Sequence, residues 1–159
     1  MLFLCSVKIK NTLPMKCDIK KSLRLFSLIL ISLNVNGNRR FFVLDTGSQG
    51  NCLCDDDTES MKLFKATGGK TMSRGLNGHA AESDNGTLTY QIGKHTCTSE
   101  FCLISGKTFD VFTQETGIHV SGLLGIPFIM QHNCIIDIVE GKLTVNIDEA
   151  LDKEGVQAA

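Results

Sequence analysis

The chain has 159 residues, 42% of them hydrophobic, and a net charge of −1 at pH 7. That length and apolar content suit one domain with its own core, and the near-neutral charge excludes the broad basic field that nucleic acid or an anionic membrane surface requires. Trp is absent and Tyr90 is the one tyrosine, so stacking platforms for single-stranded nucleic acid are not expected either.

Fifteen glycines against two prolines point to a turn-rich β protein. Residues 1–22 carry no pattern that assigns them a role, and they read as an N-terminal extension ahead of a domain over 23–146. Basic residues precede the apolar run from Leu25 to Leu33, which gives residues 23–33 a signal-like or anchor-like character. The run is too short to span a bilayer and no small-residue cleavage site follows it. No stable membrane span is expected, and a cytoplasmic location is the expectation, with export as the alternative.

Asn36-Gly37 supplies the positive-φ pair of a two-residue hairpin turn. Residues 24–34 and 39–45 therefore read as a hairpin of two strands covered on both faces. Asp55-Asp56-Asp57 precedes a short helix expected over Thr58–Ala66, with Asp56 and Glu59 spaced as a capping box and Gly68-Gly69 ending it. A metal site there is the less economical reading, since carboxylates before a helix ordinarily cap it. Strand-like flanks around Gly75, Leu76, Asn77 and Gly78 make a second hairpin with a glycine-rich tip. Thr87–Ile92 and Thr96–Ile104 read as paired strands about Gly93-Lys94, and Val111–Gln114 as a short strand in an otherwise polar loop. Ile126–His132 suits a short helix with Pro127 in its first turn. Cys134–Ile138 and Lys142–Val145 are the last strands, and residues 147–159 form a polar tail.

The seven cysteines are Cys5, Cys17, Cys52, Cys54, Cys97, Cys102 and Cys134. An odd number argues against a disulfide framework and for small buried side chains in a reducing compartment. Cys52 and Cys54 share one strand face, but no neighbouring Cys/His pair completes a tetrahedral metal set by spacing. No metal and no cofactor are expected.

The stretch with chemistry is Phe41-Phe42-Val43-Leu44-Asp45-Thr46-Gly47-Ser48. Four apolar residues suited to a buried strand run into a carboxylate, which places the acid at the lip of a core. Gly47 lets the backbone turn there, and Thr46 and Ser48 flank the acid with hydroxyls. A carboxylate held in a partly dry, hydrogen-bonded turn is a candidate general acid or base.

Asp-Thr-Gly-Ser after such a strand, followed later by Val120-Ser121-Gly122-Leu123-Leu124-Gly125, resembles the retropepsin-like aspartic proteases. The resemblance covers roughly residues 24–146. It implies an all-β fold, a closed barrel or sandwich with one or two short helices, a ψ-type loop and a flap hairpin. It further implies Asp45 as the catalytic carboxylate, Thr46 hydrogen-bonding across a dimer axis, and Gly47 as a backbone donor. Leu123, Leu124 and Gly125 match the family's supporting element beneath the active-site turn. Gly75, Leu76, Asn77 and Gly78 fall where the family has its flap over bound peptide. Ser48 stands where viral relatives often carry Ala, with a hydroxyl able to donate to Asp45. Viral members commonly follow the second motif with Arg or a polar residue, whereas Ile126-Pro127 follows it here, as in cellular and bacterial relatives.

Water-mediated peptide hydrolysis needs a base for the water and an acid for the carbonyl, and two carboxylates sharing a proton supply both. With one Asp-Thr-Gly in the chain, the economical arrangement is a C2 homodimer that pairs Asp45 with its copy. Asp137 lacks the following Thr-Gly and is not the partner, whereas Cys134–Val145 is expected at the dimer interface. The competing readings are a peptide-binding module on the same fold that does not cleave, and a thiol or metal protein built on Cys52 and Cys54.

Overall fold

A computed structural model describes residues 12–74 and 80–148. Strand β1 (Thr12–Asp18) leads into helix α1 (Lys20–Phe26), followed by β2 (Ile29–Val35), β3 (Asn38–Leu44), β4 (Cys52–Cys54) and α2 (Thr58–Met61). Then come β5 (Lys65–Arg74), β6 (Ala80–Ile92), β7 (His95–Ile104), a 3-10 turn (Gly106–Phe109) and α3 (Asp110–Thr116). The order ends with β8 (Val120–Leu124), α4 (Ile126–Gln131), β9 (Ile135–Asp137) and β10 (Lys142–Asp148).

The main sheet runs β2-β3-β8-β4-β7-β6-β5, and β2 also pairs with β6 through Asn34 and Gln91. That second pairing closes six strands into a barrel, leaving β5 as an outer partner of β6. Closure satisfies backbone groups that an open sheet would leave at its edges. Along β6 the side chains alternate: Leu88, Tyr90 and Ile92 are buried while Gln91 is exposed. They join Phe42, Leu53, Phe101, Leu124 and Phe128 in one core. A smaller sheet, β1-β10-β9, packs Leu143, Val145 and Ile147 against the same core.

The expected first hairpin is present. Val35 pairs with Asn38 across a two-residue turn in which Asn36 (φ 52°) and Gly37 (φ 78°) both take positive φ. Its first strand is shorter than expected, because residues 24–26 belong to α1. Asp18 Oδ1 accepts from the Lys20 N–H at 2.8 Å, and Ser27 stops the helix in the left-handed region at φ 54°. The signal-like run thus divides between a helix and a barrel strand whose Ile31 and Leu33 are buried. No helix among the described residues is long and apolar enough to cross a membrane. Residues 12–18, within the stretch read as an extension, pair along their whole length with β10.

Two further expectations are corrected. The helix after the acidic run ends at Met61 and is capped by Asp57, which accepts from Ser60 N at 3.3 Å and from Ser60 Oγ at 2.8 Å. The Asp56–Glu59 box is not used as the cap, and Gly68-Gly69 lies in a register shift of β5 between Ala66 and Lys70. Val111–Gln114 is helical within α3, not a strand. Asp110 sits in its first turn, Gly117 ends it at φ 71°, and Phe112 meets Phe26 edge-on with centroids 5.3 Å apart.

Candidate active site

Asp45 stands at the point where β3 leaves the barrel. Phe42, Val43 and Leu44 are buried, Asp45 is half-buried, and Thr46 and Gly47 are exposed. The apolar run therefore ends by lifting a carboxylate out of the core, as its composition dictates. β8 lies between β3 and β4, parallel to the first and antiparallel to the second. Its ladder with β3 pairs Val43 with Leu123 and Leu44 with Leu124, and Asp45 N donates to Leu124 O at 2.9 Å just past the last pair.

The turn itself is tightly bonded. Gly47 N donates to Asp45 Oδ1 at 2.8 Å, and Ser48 N donates to Asp45 O at 3.2 Å. A Cβ on Gly47 would lie 3.2 Å from Asp45 Oδ1, so the glycine leaves room beside the carboxylate. Ser48 Oγ donates to Gly50 O at 2.7 Å, so its hydroxyl braces the turn and does not make the expected bond to Asp45.

Gly125 explains the glycine that follows Leu123-Leu124. A Cβ there would fall 2.4 Å from Gly50 O and 2.6 Å from Ser48 O. The Ser48–Gly50 backbone rests directly on it, and Ile126 N donates to Ser48 O at 2.9 Å. Gly122 plays the same part against β4, since a Cβ there would meet Cys52 O at 2.0 Å.

Asn51 was not singled out by the sequence, yet it joins these pieces. It is buried, its Oδ1 accepts from Gly125 N at 3.0 Å, and its Nδ2 donates to Glu100 O at 3.0 Å. Its own carbonyl accepts from Cys102 N at 2.9 Å. The one sequence signal for it is an amide-bearing residue between a glycine turn and a strand.

A second acid, Asp57, is buried further along, with Arg40 Nε 3.5 Å from its Oδ1. Burial alone would raise its pKa, but bonds from Ser60, the neighbouring Ser121 hydroxyl and the Arg40 charge together hold it below the ordinary carboxylate value. Ser121 Oγ is buried and meets no partner in hydrogen-bonding geometry. This acid caps α2 and is remote in role from the Asp45 turn. Asp137 is exposed and accepts from Glu140 N at 2.8 Å.

The expected flap residues Gly75, Leu76, Asn77 and Gly78 lie outside the described residues. The strands flanking them, β5 and β6, are paired down to Arg74 and Ala80. Among the described residues no three His, Cys, Asp or Glu side chains gather as metal ligands. The Cys52 thiol lies instead against Cys102, with the sulfurs 3.4 Å apart.

A family model described as aspartyl protease matches residues 31–128, more than half of the chain and inclusive of both the Asp45 turn and Gly125. Among solved structures, the chain is similar to a retropepsin-like aspartic protease from Rickettsia conorii, at 18% identity and a TM-score of 0.55. That match covers 86% of this chain and 92% of the other. A search of curated protein sequences finds no match. With the barrel, the β8 strand threaded beside the Asp45 turn and the family match all in agreement, the chain belongs to the aspartyl protease family and has the retropepsin-like fold.

Proposed function

We propose that the protein is an aspartic endopeptidase that hydrolyses peptide bonds through a water held between Asp45 and the Asp45 of a second copy. The observation that carries this reading is the Asp45 turn itself. One carboxylate is lifted to the surface of a rigid barrel, with Oδ1 engaged by Gly47 N–H and the backbone beneath it clasped by Leu124, Gly125 and Asn51.

Two such carboxylates meeting on a two-fold axis share one proton, because like charges in contact resist joint ionisation. The ionised one takes the water's proton as the protonated one donates to the carbonyl oxygen. The tetrahedral intermediate then collapses with proton transfer to the leaving amine. No covalent acyl-enzyme is needed. Thr46, exposed beside the acid, is assigned to bonding across the axis, and Gly47 to keeping space for the second carboxylate.

The homodimer reading draws further support from the small sheet. β9 is an edge strand of β1-β10-β9, and Ile135, Ile138 and Val139 stand exposed on and beside it, Val139 at 90%. An apolar sheet edge favours pairing with another strand. The β5–β6 hairpin is assigned to closing over bound peptide, with backbone groups meeting the substrate in extended form.

The test is cleavage of an unstructured protein substrate at mildly acidic pH by wild type and by Asp45→Asn. The variant is expected to fold, dimerise and bind peptide without cutting it. Equal turnover by the variant contradicts the mechanism. Peptide binding without cleavage by the wild type would identify a recognition module instead.

A further inference from the structure

We propose that Cys52 and Cys102 form an oxidative modification site, a thiol pair that closes to a disulfide beneath the Asp45 turn and lowers peptidase activity when it does. The disulfide stands on the geometry alone, and its effect on activity rests on the endopeptidase reading above.

The two cysteines are direct register partners on the parallel neighbours β4 and β7, and their sulfurs lie 3.4 Å apart. Adjacent strands run about 4.8 Å apart, inside the roughly 4.4–6.8 Å Cα separation that a disulfide spans. Bond formation requires the sulfurs to close to about 2.05 Å, which side-chain rotation and a small movement of the strands supply. Cys17 and Cys134 belong to the other sheet region, and Cys54 is fully buried one pleat further along β4.

The pair is also chemically prepared. The thiols share a hydrogen bond in which either sulfur can donate. Donation from Cys52 holds the Cys102 thiolate below the ordinary thiol pKa, while that bond, burial and the negative charge of Asp45 push Cys52 up. One proton is thus released from the pair more readily than from an isolated thiol, and the other is retained. The thiolate is the reactive form. Cys102, which carries the thiolate, is itself buried, but it lies against the half-buried Cys52, and a small oxidant such as hydrogen peroxide reaches it along that side.

The thiolate attacks one peroxide oxygen, the O–O bond breaks, and hydroxide leaves to be protonated to water. The remaining thiol then attacks the sulfenic sulfur, the S–S bond forms, and the hydroxyl leaves with the thiol's proton as a second water. The sulfurs lose two electrons and the peroxide gains them. A dithiol reductant reverses the change by exchange.

The link reaches the active-site turn through short backbone contacts. Cys52 pairs with Leu123 of β8, and its carbonyl fills the space that a side chain on Gly122 would need. Asn51, the preceding residue, holds Gly125 N–H with its side chain and Cys102 N–H with its carbonyl. Drawing β4 toward β7 therefore shifts the clasp on which Ser48–Gly50 and Asp45 rest.

The experiment treats the reduced full chain with hydrogen peroxide, traps free thiols by alkylation, maps disulfides by mass spectrometry, and measures peptidase activity before and after dithiothreitol. The expected result is a Cys52–Cys102 link, an activity loss of about tenfold or more from the displaced turn, and recovery on reduction. Cys52→Ser and Cys102→Ala each should retain activity in peroxide and form no link, whereas Cys54→Ser should behave as wild type. A map without the Cys52–Cys102 link overturns the site, whatever the activity does. A link with undiminished activity overturns the coupling to the turn. A reduced protein that forms the link but never cleaves peptide leaves the modification site standing and removes the endopeptidase reading, and inhibition with it.

Discussion

Asn51 Oδ1 accepts a hydrogen bond from Gly125 N at 3.0 Å, across 74 positions of sequence. This bond ties the segment after the Asp45 turn to the end of β8, and the Asn51 Nδ2 bond to Glu100 O ties both to β7. Removing the amide strands a buried donor and a buried acceptor, each costing about 1–3 kcal/mol. Asn51→Ala is expected to lose about 2–4 kcal/mol in urea unfolding and to lose cleavage activity more steeply than stability. Asn51→Asp keeps the acceptor for Gly125 but turns a buried carboxylate toward the Glu100 carbonyl, so near neutral pH it should be no milder than alanine, and its penalty should shrink as the acid is protonated.

Gly125 and Gly50 make a matched pair for a steric test. Alanine at 125 must displace the carbonyls of Gly50 and Ser48, whereas a Cβ at 50 meets nothing within 4 Å. Gly125→Ala is expected to destabilise by about 1–3 kcal/mol, as overpacking of a close backbone contact does, and to reduce kcat. Gly50→Ala should leave both near wild type. Similar behaviour in the two variants would contradict the stacking of the turn on Gly125.

Gly125 and Asn51 show what was legible beforehand and what was not. The Asp45 turn and Leu123-Leu124-Gly125 stand out because their chemistry is local: an apolar strand ending in an acid, and a glycine after two apolar residues. The first hairpin is equally local, since Asn36-Gly37 needs nothing beyond itself to turn. Asn51 is not legible, because its partners lie in β7 and after β8 and a single amide has no pattern. The Cys52–Cys102 contact is hidden for the same reason, being set by parallel register between strands 50 residues apart. The errors in α1 and α3 arose where apolar and β-branched runs suggested strand and the ends decided otherwise. Asp18 and Ser27 frame the first helix, and Asp110 and Gly117 frame the second. Neither N-cap residue, Ile19 or Phe109, bonds the helix through its side chain, and what the two helices share is a left-handed stop at Ser27 and Gly117.

His132 carries a pH dependence of stability. It is buried, with Nε2 2.8 Å from the Tyr90 hydroxyl, and burial lowers its pKa below the ordinary histidine value. Above the unfolded-state pKa, the ring is neutral in both states and its contribution is complete. As pH falls below that value the unfolded chain takes up a proton that the folded one resists, so stability declines until the folded pKa is reached. Thermal unfolding between about pH 7 and pH 5 should show this decline, and His132→Gln should flatten it. An unchanged slope in the variant would assign the effect elsewhere.

Asp57 contributes in a lower window with its own sign. Its folded pKa is depressed, so its contribution is full above the unfolded carboxylate value and is lost as pH falls toward the folded one. Asp57→Ala removes the α2 cap and leaves Arg40 without its ion partner, an expected loss of about 2–3 kcal/mol near neutral pH. Acid titrations of unfolding should show wild type and variant converging as the pH drops. A constant gap between them would mean that Asp57 acts through packing alone.

The central claim is that catalysis requires Asp45 from two copies. Sedimentation of the full chain at mildly acidic pH, with and without a pepstatin-type transition-state mimic, tests it most directly. A mimic that spans two carboxylates binds the assembled pair and not the single chain, so it must tighten the dimer by mass action. The expected result is a concentration-dependent dimer whose dissociation constant falls when the mimic is added, with a much smaller fall in Asp45→Asn, which keeps the peptide groove but lacks the carboxylate pair. A protein that stays monomeric in both conditions while cleaving peptide would contradict it.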